Sequence, residues 1–288
     1  MKFGIHSLLF TETFIDKDLA LLERCKGMGY DAVEIIPFDP DNFPAAKVRK
    51  TAADLGLSIN TGYGMPPEYN TISPDPKVRK AGVEFSKKLI DLSNEAGAEV
   101  LGGAIYCGWG YLTGAMRTAD EWRWGIDSYR EIAEYAARSS RIILGIEPLN
   151  RFESHFINIA DDALQFIREV GMPNVKVHLD TFHMIREEND IVQAIRETGS
   201  QLGYFHACEN QRGIPGTGLV PWHDVFRTFR EIGYDGTVTV ESFDPNMPRI
   251  AKLCCIWRKL ADSPEQLATQ GLQFLKEVRA EVFGTNGS

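Results

Sequence analysis

Ile146-Glu147-Pro148-Leu149-Asn150-Arg151-Phe152-Glu153 decides the reading of this chain. An apolar run, Ile142-Ile143-Leu144, leads into it. The run stops at an acid, followed by a proline that cannot continue a sheet ladder. A carboxylate at the C-terminal tip of a buried strand costs stability and equips a site. Three later segments stop in the same way: VKVHLD at Asp180, LGYFH at His206 and TVTVE at Glu241.

Around these four tips the hydrophobic pattern alternates between strands and helices. Further strands are expected over 2–10, 32–36, 57–61 and 100–105. The segments ending in the four tips complete the set, over 142–147, 174–180, 202–206 and 237–241. Asp16 is placed to cap a helix that stops near Gly29, and Ser73-Pro74 to open a long one that closes at Gly97. Other helices are expected over 43–55, 119–138, 159–170, 187–198 and 222–232. Ser263-Pro264-Glu265-Gln266 reads as a capping box that opens the last. Eight strands alternating with eight helices imply a parallel sheet. In 288 residues without a Pro-, Gly- or Ser-rich linker they fit a closed α/β fold, a (β/α)8 TIM barrel. It is read as a single domain over 1–283, with 284–288 as a flexible tail. No GxGxxG follows the first strand, which speaks against a dinucleotide-binding sheet.

Side-chain alternation places the tips. In 175–180, Val175, Val177 and Leu179 share one face and Lys176, His178 and Asp180 the other. The apolar face meets the helices, so Asp180 points into the barrel. The same parity sends Glu241, His206, Glu34 and His6 inward. Buried carboxylates this dense are paired, protonated or bound to a cation. Glu147, Asp180, His206 and Glu241 form a mostly oxygen set that suits Mn²⁺, Mg²⁺ or Co²⁺ better than structural zinc. The other reading is a metal-free network of acids paired with Arg or Lys.

Composition narrows the class. A formal charge of −9 speaks against nucleic-acid binding, and no apolar run reaches membrane-span length. Five cysteines without CxxC spacing read as reduced thiols in a cytoplasmic protein.

The segments IEPLNRFE, HLDTFHM, FHACENQRGIPGTG and VTVESF, in this order and strand context, resemble the ketose 3-epimerase family of the xylose-isomerase-like barrels. The resemblance covers about residues 3 to 283. It implies a metal-dependent isomerase acting on a free ketose. It implies Glu147, Asp180, His206 and Glu241 as ligands of Mn²⁺ or Co²⁺. It further implies Glu153, His183 and Arg212 as contacts to the O1–O3 end of the sugar, and a homodimer or homotetramer.

Epimerisation at C3 removes a proton beside a carbonyl and returns it on the other face. Two carboxylates on opposite sides of C3 serve as base and acid in turn. Glu147 and Glu241 sit three strands apart on an eight-strand ring and are assigned these transfers. His6 and Trp109 are expected in the substrate pocket, with the loops at 63–66 and 107–110 at its border; Tyr106, Trp109 and Phe243 read as an aromatic wall or equally as loop anchors. His178 reads as a satisfied core histidine or one standing behind the ligands rather than as a ligand, and His155 and His223 as surface or helix residues. Glu34 reads as a substrate contact or a partner of a cation, and Arg212 as a sugar contact or a partner of Glu209. His6 stands where ketohexose 3-epimerases usually carry an aromatic. The D-fructose/D-allulose, D-tagatose/D-sorbose and L-ribulose/L-xylulose pairs therefore stay open.

Two other functions use this barrel. An aldose–ketose isomerase needs the same metal and acids but moves a proton between C1 and C2. An apurinic-site endonuclease needs extra histidines after strands three and four, where this chain has Gly62-Tyr63-Gly64 and Ile105-Tyr106.

Overall fold

The structure, a computed structural model, describes residues 1–284. Eight parallel strands close into one barrel in sequence order. They are β1 Lys2–His6, β2 Ala32–Ile35, β3 Ser58–Gly62 and β4 Ala98–Gly102, then β5 Ile143–Ile146, β6 Val175–Asp180, β7 Leu202–Ala207 and β8 Thr237–Val240. β1 pairs with both β2 and β8, which shuts the ring and leaves no free sheet edge. Of the expected tail, 285–288 lie outside the described residues.

Helices surround the barrel: α1 Ala20–Gly27, α2 Ala45–Leu55, α3 Pro76–Glu95, α4 Ala119–Ser139 and α5 Ala160–Val170. α6 Thr181–Glu187, α7 Ile191–Thr198, α8 Trp222–Ile232, α9 Pro248–Leu253 and α10 Pro264–Phe283 complete the layer. Each strand turns one apolar row outward to meet them. Phe205 and Val238 meet Phe226 and Phe229 of α8, all fully buried. Truncating Phe226 or Phe229 to alanine would cost about 3–5 kcal/mol.

Several boundaries differ from the sequence reading, each for a local reason. The first strand ends at His6, because His6 Nδ1 accepts the N–H of Leu8 at 3.2 Å and starts a 3₁₀ turn over Ser7–Leu9. The fourth strand is 98–102 and not 100–105. The long third helix opens at Pro76, capped by Asp75, whose carboxylate accepts from Lys77 N at 2.8 Å. A helix the reading did not expect, over 181–187, precedes a shortened form of the one expected over 187–198, which runs over 191–198. Asp180 caps the first through Phe182 N, and Asp190 starts the second through Val192 N and Gln193 N. α9 opens on Pro248, which the reading passed over. The consequence for the site is a matter of one residue. Asp180 ends β6, while Glu147 and Glu241 stand one residue beyond β5 and β8. They belong to the first step of the loops at the C-terminal mouth, where barrel sites are built.

Candidate active site

The mouth opens on a cavity with about 610 Å³ of empty space, counting the part open to solvent. Glu34, Glu147, His206 and Glu241 line its floor, and Glu153, His183 and Arg212 one side. His6, Trp109 and Phe243 line the apolar remainder with Leu8, Ile36, Phe38 and Tyr63. All nine residues expected from the sequence as ligands, proton carriers or sugar contacts thus meet here, Asp180 just beneath the surface.

The imidazole of His206 is the geometric centre. Its Nδ1 lies 3.7 Å from Glu147 Oε1 and 3.6 Å from Glu241 Oε1. That nitrogen is buried and has no hydrogen-bond partner. Nε2 is hydrogen-bonded to Glu34 Oε2 at 2.6 Å. Asp180 stands across the floor, where Arg212 Nη1 donates to its Oδ2 at 3.1 Å and also to Glu241 Oε2. Arg212 therefore pairs with the strand-tip acids and not with the Glu209 side chain. Glu209 instead accepts from Trp222 Nε1 and Gly216 N, both at 2.7 Å. Arg212 adopts a left-handed φ of 64°, uncommon for a side chain of its size, and Ser242 Oγ–H holds its carbonyl at 2.5 Å.

On the upper side, His183 Nδ1 accepts the backbone N–H of Asn150 at 3.0 Å. Its proton is then on Nε2, which faces Asp180 Oδ2 at 3.6 Å and Glu147 Oε1 at 3.9 Å. Glu153 is fixed by two donors, Asn150 Nδ2 and Trp109 Nε1, each at 2.8 Å. Trp109 lies flat on Gly64, where a Cβ would stand 2.5 Å from the indole Cε3. His6 Nε2 is 3.8 Å from Glu241 Oε1, and its ring meets Phe243 edge-on.

Electrostatics follow from burial and crowding. Burial drives Glu147 well above the ordinary carboxylate range, with His206 opposing and Glu241 and Asp180 adding. Burial likewise lifts Asp180 to about 7 against the pull of Arg212. At Glu241 the sign reverses: burial would raise it, but Arg212 and His206 outweigh burial and hold it low. Burial works against charge on His206, yet Glu34 and Glu241 push it up to about 10. Four buried carboxylates thus face two cationic side chains, Arg212 and His206. The acids are crowded enough that Glu147 and Asp180 are pushed toward the neutral form, and the set includes an imidazole nitrogen with no hydrogen-bond partner. Both features fit a divalent cation. Three overlapping clusters have ligand atoms within 4.8 Å of one another: Glu147–His178–His206, Glu147–Asp180–His183 and Asp180–Cys208–Glu241. The four expected ligands are spread over these clusters, with Asp180 and Glu241 together in the third, bridged by Arg212.

Other expectations need correction. Tyr106 is not part of the pocket wall. It is fully buried, and its hydroxyl holds the Glu147 carbonyl at 2.6 Å. His178 is not fully satisfied: Nδ1 accepts from Gly103 N at 3.3 Å, but buried Nε2 has no partner. His155 is wedged between Glu121 Oε1 and Tyr111 O, at 3.2 and 3.1 Å. His223 lies on the surface beside Glu281. The sequence reading gave no part to Asn150, Cys208 or Cys254, which lines the mouth. Asn150 had a signal, its place inside IEPLNRFE.

A model of the xylose isomerase-like TIM barrel family matches residues 22–278. A D-psicose 3-epimerase of Ruminiclostridium cellulolyticum is 32% identical over 271 residues, covering 92% of each chain. An L-ribulose 3-epimerase of Mesorhizobium japonicum is 31% identical, covering 95% of this chain and 93% of that one. This chain belongs to the ketose 3-epimerase family. As a member it is an isomerase that acts on carbohydrates. A solved structure of an L-ribulose 3-epimerase superposes with a TM-score of 0.92 at 30% identity, over 99% of this chain and 98% of that one. A D-psicose 3-epimerase solved in the presence of D-fructose superposes with a TM-score of 0.90 at 33% identity.

Proposed function

We propose that this protein epimerises free ketoses at C3, with Glu147 and Glu241 as the two proton carriers. One observation carries the reading: both carboxylates lie within 4 Å of a single nitrogen, His206 Nδ1, at the base of a sugar-sized cavity. They therefore flank the same small volume from β5 and β8. One removes the C3 proton from one face, and the other returns a proton to the opposite face of the planar enediolate.

Glu147, Asp180, His206 and Glu241 would hold a divalent cation, and their mostly oxygen donors favour Mn²⁺, with Co²⁺ or Mg²⁺ able to substitute. Such an ion supplies Lewis-acid stabilisation of the charge that builds on the substrate oxygens as C3 ionises. His183 presents Nε2–H to an oxygen near C2, and the Glu153 carboxylate accepts a hydroxyl proton at the O1 end. Arg212 offers its guanidinium to the same end. Trp109, Phe243 and Tyr63 exclude water around the far carbons, and His6 adds one polar contact among them. That mixed wall suits ketoses of five or six carbons, among them the D-psicose and L-ribulose of its relatives' names.

The family resemblance is what supports reading it as a homodimer or homotetramer, and a cytoplasmic location is part of the same proposal. Among the described residues no helix is long and apolar enough to cross a membrane. All five cysteines are free.

Proton NMR of the Mn²⁺-reconstituted and then metal-exchanged protein in D₂O, with D-fructose, D-tagatose and L-ribulose, tests the reading. Loss of the C3 proton with appearance of the C3 epimer is the expected result. Exchange at C1 with appearance of an aldose would move the protein to the aldose–ketose isomerases.

A further inference from the structure

The barrel interior carries a group of side chains to which this reaction scheme gives no task. Glu34 on β2 is 1% exposed. Its Oε2 accepts two hydrogen bonds, from the Tyr204 hydroxyl at 2.7 Å and from His206 Nε2–H at 2.6 Å. The Tyr204 oxygen also meets Thr239 Oγ1 at 2.6 Å. A tyrosine has one proton, and it goes to the carboxylate, so the threonine hydroxyl is the donor in that pair. A directed chain results, running from Thr239 to Tyr204 to Glu34, with His206 donating from the other side. Gly62 makes room for it, since a Cβ there would stand 2.5 Å from Glu34 Oε1.

An imidazole can turn about its Cβ–Cγ bond and present either nitrogen or a carbon to a neighbour. With Nε2–H committed to Glu34, only Nδ1 of His206 is free, and it faces Glu147 and Glu241. A carboxylate on the far nitrogen both fixes the ring and strengthens it as a donor.

We propose that Glu34, held by Tyr204 and Thr239, is a positioning residue that locks His206 with Nδ1 turned to Glu147 and Glu241, and so sets how tightly the site binds a divalent cation. The inference rests on the metal-binding reading of those four residues. This role uses Oε2 alone, which is taken by two protein donors. A merely structural Glu34 would stabilise the fold without changing metal affinity in the folded protein.

Calorimetric titration of metal-stripped protein with MnCl₂ alone separates these roles, with circular dichroism to confirm folding. Glu34→Ala should raise the Mn²⁺ Kd roughly 10- to 100-fold. Glu34→Gln should fall between it and the wild type, and Tyr204→Phe, which deletes one of the two bonds to Glu34, should give a smaller rise. In the Co²⁺-loaded wild type, the His206 Nε2–H should appear as a paramagnetically shifted proton in slow exchange with water. It should exchange faster in Tyr204→Phe and be lost in Glu34→Ala. Folded Glu34→Ala and Tyr204→Phe that bind Mn²⁺ within twofold of wild type would overturn the inference while leaving the metal site intact. Wild-type protein that binds no Mn²⁺, Co²⁺ or Mg²⁺ would overturn the metal-binding reading itself. Should Glu34→Ala not fold, Tyr204→Phe decides, because it keeps the ring and its packing.

Discussion

His183 gives its Nδ1 lone pair to the backbone N–H of Asn150 at 3.0 Å, which leaves Nε2–H as the only group the ring can turn toward the cavity. The bond works only while the ring is neutral. Burial, outweighing the attraction of Glu153, takes the ring down to about 4 from the ordinary 6.5. The folded value lies below the unfolded one, so acid favours the unfolded chain. The contribution of His183 is complete above about 6.5 and is lost as the pH falls toward 4. NMR titration of the His183 ring protons should show no protonation step between neutrality and pH 5. A midpoint near 6.5 would remove His183 as a neutral donor.

Glu147→Gln and Glu241→Gln each delete one proton carrier while keeping the side-chain shape. Each should slow exchange of the C3 proton with solvent by roughly 10²- to 10⁴-fold. Full exchange in either variant would end the two-carboxylate scheme.

Trp109 Nε1 donates to Glu153 Oε2 at 2.8 Å. Trp109→Phe keeps most of the wall and removes that donor. A hydrogen bond to a charged group contributes about 1.5–3 kcal/mol, so KM should rise about tenfold or more with a smaller change in kcat. Steady-state kinetics on the best ketose measures the split; an unchanged KM would place Glu153 away from the bound sugar.

Chelation should abolish activity and lower the melting temperature, since the floor acids then repel one another with only Arg212 and His206 to offset them. Adding Mn²⁺ to about 100 times its Kd should restore about 2.7 kcal/mol of stability. Scanning calorimetry of stripped and reloaded protein reads this directly, and identical melting curves would contradict it.

Tyr106→Phe leaves the pocket lining untouched and deletes the hydroxyl that holds the Glu147 carbonyl. Stability should fall by about 1–3 kcal/mol, the usual cost of an unmet buried acceptor. Urea unfolding checks it, and an unchanged midpoint would mean that the carbonyl finds another donor.

The strand-tip acids were legible in the sequence because alternation along a strand has a period of two and both rows were clean. Asp180 could be sent inward by counting from Val175. The partners of Glu34 and Arg212 were not legible, because each bond spans more than two dozen residues: His206 to Glu34 is 172 residues apart, and Arg212 to Glu241 is 29. Nothing local records such a meeting. The later start of the helix expected over 187–198 was recorded, in Asp190, an N-cap residue at the right place.

The barrel divides its labour by halves. Glu147, Asp180, His206 and Glu241 come from β5 to β8 and the loop residues just past them. His6, Ile36, Phe38, Tyr63, Gly64 and Trp109, which shape the far wall of the cavity, come from β1 to β4 and their loops. Under the proposed scheme, the proton carriers sit on the second half and most of the wall that would face the sugar's far end on the first, with Phe243 the exception. Substitutions in the first half can retune which ketose fits while the proton-handling half stays as it is. Glu34, reaching from the first half to His206 in the second, is a stitch between them and the position least free to drift.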